Sequence, residues 1–197
     1  GVHYVSGKEP PPPHASCYSL PLFCGRRIGA MTTYLLRDPE GPWDKEIQKI
    51  VQGLRSVIID EGDYAYFPQG EFYPGQPRVR EAAMPVGIWS SLVGWTIQGL
   101  AQYHRVSGYE PAIELAGKLA RYLVNHGRYY GPNGEFLPNY AGEDGGRVPD
   151  KDGIPGFDPG PVEWKGHIHF QHHTVPLLGT LDHALAVGDR ELAEIVR

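Results

Sequence analysis

The sequence predicts an all-α fold built from three stacked helical hairpins, and three observations support this prediction. Apolar residues recur at helical spacing in paired segments along the 197-residue chain. Within each pair the segments are separated by a short turn of helix-breaking residues, near residues 38–42, 107–111 and 187–189. The connections between pairs are long and rich in glycine, proline and aromatic residues. Such repeats stack because each hairpin buries the apolar face of its neighbour.

An N-terminal arm precedes the helices. Four consecutive prolines at positions 10–13 predict an extended arm over residues 1–19, of which the first sixteen neither pair nor coil. The helical domain then covers residues 20–197. The first hairpin is expected to contain a helix at about residues 20–37 and a second helix that ends at about residue 59. The second hairpin is expected to contain helices at about residues 88–106 and 111–125.

The third hairpin begins near residue 166 and continues to the last residues of the chain. Its final helix holds Leu192 and Ile195. In its first helix, five apolar residues are expected to face the core: Leu177, Leu178, Leu181, Ala184 and Leu185.

The connections between the hairpins predict short strands and turns rather than helices. Aromatic residues suited to short strands follow the first hairpin, at Tyr64, Tyr66, Phe72 and Tyr73. Asn133-Gly134 is typical of a two-residue hairpin turn. A connection as long as the second one usually has a functional role.

Composition excludes several classes of partner. The net charge is −5 and no basic cluster is present, so nucleic acid is not expected to bind. The sequence contains no run of about 18 apolar residues, so no membrane-spanning helix is predicted. Cys17 and Cys24 match neither a zinc-binding spacing nor a disulfide framework, so the cellular compartment stays undefined.

The topology predicts that any site lies at the end of the stack that carries the long connections. The first helix of each hairpin begins at that end, so its unpaired N–H groups and positive dipole end face the same space as the loops. Flat aromatic side chains beside carboxylates suit a sugar, whose ring faces stack while its hydroxyl groups form hydrogen bonds. The residues expected to contact substrate are Trp89, Trp164, Tyr66, Tyr73, His172, His173 and Arg80.

Carboxylates at the same end are candidates for acid–base chemistry. Hydrolysis of a glycosidic bond by the usual route needs a pair of them on either side of the bond. Glu163, which lies beside Trp164, is the first candidate for general acid or base, and Asp63 or Glu71 is the second.

A cluster of histidines opens the third hairpin. His167 and His169 are expected to act in acid–base catalysis, because neutral imidazole exchanges protons near neutral pH. A divalent metal held by His167, His169 and His173 is an alternative that the residues do not favour, because no cysteine lies nearby and the carboxylate ligand would come from Glu163 or a distant loop. No cofactor is therefore expected.

Residues 94–108, 112–124 and 179–189 resemble the six-hairpin, or (α/α)6 toroid, glycosidases. They share a helix, a turn that contains a small residue and glycine, and an alanine-rich return helix. The resemblance covers roughly residues 89–197 and implies an (α/α) toroid of which three of six hairpins are present. The rest of the same chain would then complete the ring.

The resemblance implies a carbohydrate-active enzyme, first of all a glycoside hydrolase. Within this superfamily the sequence most resembles the bacterial β-L-arabinofuranosidase family. The cysteine nucleophile and zinc ligands of that family have no counterparts downstream of Cys24. One alternative is a polysaccharide lyase or sugar epimerase on the same fold. Another is a non-catalytic helical-repeat module that binds a partner through its loops.

Overall fold

A computed structural model describes residues 15–16, 19–67, 71–72, 90–127, 130 and 170–196, and at 15–16, 19–23, 71–72, 90–91 and 170–173 it describes the backbone alone. In these ranges the chain forms six α-helices, one π-helical turn and four short strands. The helices are α1 (Ser19–Arg37), α2 (Trp43–Val57), α3 (Ser90–Ser107), α4 (Glu110–Arg121), α5 (Phe170–Val187) and α6 (Arg190–Ile195). The strands are β1 (Ala15–Ser16), β2 (Ile59–Asp60), β3 (Ala65–Tyr66) and β4 (Glu71–Phe72).

The helices form two layers, and the prediction of stacked hairpins is confirmed. In the inner layer α3 lies between α1 and α5 and packs against both. In the outer layer α2 packs on α1, α4 on α3 and α5, and α6 on α5. The core between the layers includes fully buried Ile28, Ile97 and Leu100 from the inner helices and Ile47 and Leu119 from the outer ones. Burial of each such side chain contributes roughly 1.5–3 kcal/mol relative to exposure.

The inner helices approach each other closely because glycines face each other. A Cβ atom on Gly99 of α3 would overlap the carbonyl oxygen of Gly25 in α1, and a Cβ on Gly179 of α5 would overlap that of Gly94 in α3. In both places the carbonyl carbon and Cα of the partner glycine lie at 3.1 and 3.3 Å from the added atom. The two interfaces therefore repeat the same backbone contact.

Polar contacts join the hairpins as well. The Tyr103 hydroxyl of α3 donates a hydrogen bond of 2.6 Å to Oδ1 of Asp44 in α2, and Gln48 Nε2 donates one of 2.8 Å to the other oxygen of that carboxylate. Burial and the hydrogen bond to Asp44 raise the pKa of Tyr103 to about 12, so the hydroxyl remains a donor at neutral pH. This contact ties the second hairpin to the first.

The short turns end each first helix as the sequence predicts. Gly108 and Gly188 have φ of 69° and 73°, a left-handed conformation that glycine adopts without a steric penalty. Asp189 then caps α6, and its carboxylate accepts the Leu192 N–H at 2.9 Å. Residues 38–42 make the turn of the first hairpin.

The connection after α2 contains the strands expected of its aromatic residues. β2 pairs antiparallel with β3, and β1 pairs antiparallel with β4. The prediction that the first sixteen residues do not pair is therefore wrong at Ala15 and Ser16, because the run of prolines ends before them and leaves their N–H groups able to bond. The helix expected to run to residue 59 ends at Val57 instead.

The prediction that all five apolar residues of the third hairpin face the core is also wrong in part. Leu178 and Leu185 are 47% and 64% exposed, whereas Ala184 of the same helix is 1% exposed. Apolar residues occur around most of α5, so spacing alone does not distinguish the face that packs on the core from the others. Ile195 of α6 is 55% exposed as well.

Two sequence predictions cannot be compared with the described residues. The Asn133-Gly134 turn lies outside them, as does most of the predicted N-terminal arm. Within the described ranges no helix is long and apolar enough to cross a membrane.

Candidate functional site

The inner layer has one face that the outer helices do not cover, which we call the inner face. Each inner helix turns one side to the outer layer and its flanks to its neighbours, and this leaves a fourth side. From the helical period and from their contacts across the helices, we assign to this side Arg26 of α1, Trp95, Gln98 and Gln102 of α3, and Asp182 of α5. The inner face therefore carries several polar side chains and an aromatic one.

Arg26 and Trp95 form a cation–π pair between two neighbouring helices. The guanidinium carbon lies 4.6 Å from the centroid of the indole ring. Arg26 is exposed and Trp95 is partly exposed. Both lie in the first half of their helices, toward the end of the stack where the long connections lie. The positive dipole ends of the inner helices face the same region.

Asp182 forms the second polar group on the inner face. Gln98 Nε2 donates to its Oδ2 at 2.9 Å, and Arg105 Nη2 lies 3.8 Å from its Oδ1. The Asp182 side chain is 19% exposed and that of Arg105 is 45% exposed. The carboxylate is thus held between an amide and a guanidinium, with both of its partners on α3.

Asp63, a predicted catalytic residue, lies at the outer layer. It follows β2, and its side chain is 76% exposed. Arg121 of α4 donates from Nε to the Asp63 carbonyl at 2.7 Å and lies 3.3 Å from the carboxylate oxygen Oδ1. Asp63 is therefore fixed to an outer helix rather than to the inner face.

Tyr66, a predicted substrate contact, is 3% exposed. Its ring stacks on Tyr122 with centroids 5.1 Å apart and on Tyr64 at 6.3 Å. Tyr64 in turn stacks on His126, which belongs to the π-helical turn Tyr122–His126 at the end of α4. The buried Tyr66 ring leaves little surface for a ligand.

The other predicted site residues are described only in part or not at all. Glu71 belongs to β4, where its backbone pairs with Ser16. His172 and His173 lie in the first turn of α5, at the end of the stack that was predicted to hold the site. Seven predicted residues lie outside the described ranges: Glu163, His167, His169, Trp89, Trp164, Tyr73 and Arg80.

The proposed metal ligands include two of those seven residues, so the alternative of a metal site stays a prediction. Among the described residues, no group of three or more histidine, cysteine, aspartate or glutamate side chains could hold a metal ion.

Sequence reasoning did not single out Arg26, Gln98 or Asp182. The helical period indicates that these residues lie opposite the apolar stripe of their helices. Polar residues at that position are equally typical of an ordinary solvent-exposed helix face, so the sequence pattern does not distinguish a binding face from a solvated one.

Comparisons with known proteins bear on the fold. No protein-family model matches the chain, and no curated protein sequence matches it either. Among solved structures, the chain is similar to cellobiose 2-epimerase from Spirochaeta thermophila DSM 6192, with a TM-score of 0.61 and 19% sequence identity. The match covers 100% of this chain and 46% of the epimerase chain. The arrangement of three hairpins in two layers and the similarity to this structure together show that the chain has the fold of a partial (α/α) toroid.

Proposed function

We propose that the protein is a carbohydrate-active enzyme and that its inner face binds the sugar. The observation that carries this proposal is the pairing of Arg26 with Trp95 on the uncovered side of the inner helices. The similarity in fold to a sugar epimerase supports it. The similarity spans 46% of the epimerase chain, so the activity is proposed for the whole protein that contains these three hairpins.

The inner face offers the kinds of contact that a sugar needs. An indole ring provides a flat apolar surface for the C–H groups of a pyranose ring, and a guanidinium provides several N–H donors for hydroxyl oxygens. The amides of Gln98 and Gln102 add groups that both donate and accept hydrogen bonds. Such a mixture of an aromatic surface with a few directed polar groups is typical of small-molecule sites.

Epimerisation of a reducing sugar is the first reaction to test. Inversion at the carbon next to a carbonyl group requires one group that removes the proton and one that returns a proton to the opposite face. Histidine suits both tasks near pH 7, because its neutral imidazole removes a proton and its protonated imidazolium returns one. His172 and His173 lie in the first turn of α5, at the end of the stack where Trp95 lies, and we propose them as candidates, with His167 and His169 preceding them in the chain.

Hydrolysis of a glycosidic bond is the second candidate, and the resemblance to six-hairpin glycosidases supports it. This reaction requires two carboxylates on either side of the bond. For hydrolysis we prefer Glu163 and Glu71 as the pair of carboxylates. Asp63 is less suitable, because its carboxylate forms an ion pair with Arg121 of the outer layer. The β-L-arabinofuranosidase chemistry is not proposed, since its cysteine ligands have no counterparts here.

One experiment separates the two reactions. The intact native protein is incubated with cellobiose and other reducing oligosaccharides in D2O, and proton NMR spectra are recorded over time. An epimerase produces the C2 epimer with deuterium at C2, whereas a hydrolase produces free monosaccharides. Neither product on any sugar of the panel would contradict the proposed function.

Substitution on the inner face tests where the sugar binds. We expect Trp95→Ala to lower kcat/KM about 5-fold or more, because loss of a stacking surface costs about 1 kcal/mol or more of binding. We expect Arg26→Met to have an effect of the same order. Arg190→Met is the matched control, since this exposed arginine lies on the outer helix α6. Unchanged kcat/KM in both inner-face variants would exclude this face as the binding site.

A further inference from the structure

The side-chain amide of Gln98 on the inner face is held through only one of its two polar atoms. Its nitrogen Nε2 donates a hydrogen bond of 2.9 Å to Oδ2 of Asp182 on α5. Within the described ranges, no hydrogen bond reaches the oxygen Oε1 of the same amide. The acceptor of this partly buried amide is therefore available to a ligand.

The chemistry of Asp182 determines which atom of the Gln98 amide is available. A carboxylate only accepts hydrogen bonds, so the amide must turn its nitrogen toward Asp182. In the reverse orientation two oxygen atoms would face each other with no hydrogen between them. Because the Asp182 side chain is only 19% exposed, little water is present to replace the lost bond.

The position of Gln98 brings this acceptor close to the proposed sugar. Trp95, Gln98 and Gln102 are three and four residues apart, so their side chains share one side of α3. On the facing side of α1, Gly29 leaves space. Apart from adjacent residues and the backbone of α1, Oε1 of Gln102 is the one atom of the described residues within 4 Å of a Cβ added there, at 3.1 Å. Gln98 is thus the next polar group along the helix for a sugar that stacks on Trp95.

We infer that Asp182 is a positioning residue and that Gln98, oriented by it, selects a hydroxyl group of the bound sugar. This inference rests on the proposed function. The amide oxygen accepts a hydrogen bond from a hydroxyl group, but it offers nothing to a group that only accepts, such as the carboxylate of a uronate. The substrate class is therefore a sugar with a neutral hydroxyl group at the position that meets Gln98.

Sugars in which one hydroxyl group is replaced by fluorine test this selection. Fluorine is similar in size to a hydroxyl group but cannot donate a hydrogen bond. The probes are cellobiose, or the sugar that the protein converts, and its monodeoxyfluoro analogues, and their Kd values are measured calorimetrically with the intact native protein. We expect at least one analogue to bind about 5-fold or more weakly than the parent sugar, the equivalent of one neutral hydrogen bond.

Substitution of Asp182 tests whether it positions Gln98. We expect Asp182→Asn to bring this Kd ratio close to 1, because an asparagine amide both donates and accepts and lets the Gln98 amide turn over. Adding Gln98→Glu to Asp182→Asn should restore the ratio, since a carboxylate at position 98 only accepts. Arg105→Met is the matched control. It removes the other partner of Asp182, which lies 3.8 Å from Oδ1, and should keep the native ratio.

The ratio compares two ligands on the same protein, so it does not depend on the fraction of each variant that is folded. A native ratio in Asp182→Asn, whatever its thermal unfolding midpoint, would overturn the inference and leave Asp182 as a contact between α3 and α5. Equal binding of every analogue by the native protein would also overturn it, while the proposed function would stand. Binding of no sugar at all would contradict the proposed function and this inference together.

Discussion

His183 is a buried histidine whose surroundings favour its neutral form. It lies on α5 and is 5% exposed, with its ring against Gly117 of α4. Burial lowers the pKa of His183, and the positive charge of Arg121 lowers it further. Asp189 acts in the opposite direction, and His104 adds to the lowering. The folded protein therefore holds this imidazole without a proton.

We expect the protein to lose stability as the pH falls below about 6.5, the ordinary pKa of histidine. The unfolded chain binds a proton at His183 in a pH range where the folded chain does not, so acid favours unfolding until the lowered folded pKa is reached. His183→Gln, which does not titrate, should flatten this dependence. Urea midpoints at pH 5, 6 and 7.5 measure the effect, and an equally steep dependence in the variant would contradict the assignment.

At the scale of the elements, the inner helices depend on backbone-to-backbone contacts at glycine. Side chains cannot occupy the space between Gly25 and Gly99 or between Gly94 and Gly179. Since the atoms that a Cβ would meet belong to the backbone, the helices would have to move apart to admit one. Glycine is thus required at these positions by packing rather than by backbone conformation.

We expect Gly99→Ala to destabilise the protein by about 1–3 kcal/mol, the usual cost of overpacking a rigid interface. Gly53→Ala is the matched control, because Gly53 lies in the exposed part of α2 with no atom within 4 Å of an added Cβ. That change should stabilise the protein by roughly 0.5–1 kcal/mol, since alanine favours helix over glycine. Urea unfolding measures both values. A Gly99→Ala variant as stable as Gly53→Ala would show that the interface is looser than described.

The elements themselves could largely be predicted from the sequence. The apolar period gives the helices, and glycine, proline and aspartate give the turns, because these signals are local. The exposure of Leu178 and Leu185 could not be predicted, since apolar residues occur around most of α5 and spacing alone does not identify its buried face. The contact of Gly25 with Gly99 could not be predicted either, because it joins residues that are far apart in the sequence.

At the scale of the whole molecule, three hairpins form two layers, and the inner layer has a face that the outer helices do not cover. The long connections and the starts of the inner helices predict at which end of the stack a site lies, and this stays a prediction. The sequence did not predict the inner face, because Arg26, Gln98 and Asp182 have the pattern of residues on a solvent-exposed helix face. Only the packing of α3 against α1 and α5 brings Arg26 to Trp95 and Gln98 to Asp182.

The indole signals of the tryptophans test most directly whether a sugar binds at the inner face. Trp95 lies on the inner face, whereas Trp43 begins α2 of the outer layer and stacks on Tyr34. In the native protein labelled with ¹⁵N at its indole nitrogens, titration with cellobiose or the sugar that it converts should shift the Trp95 signal and leave the Trp43 signal in place. A saturable shift of Trp43 with an unmoved Trp95 would contradict the account.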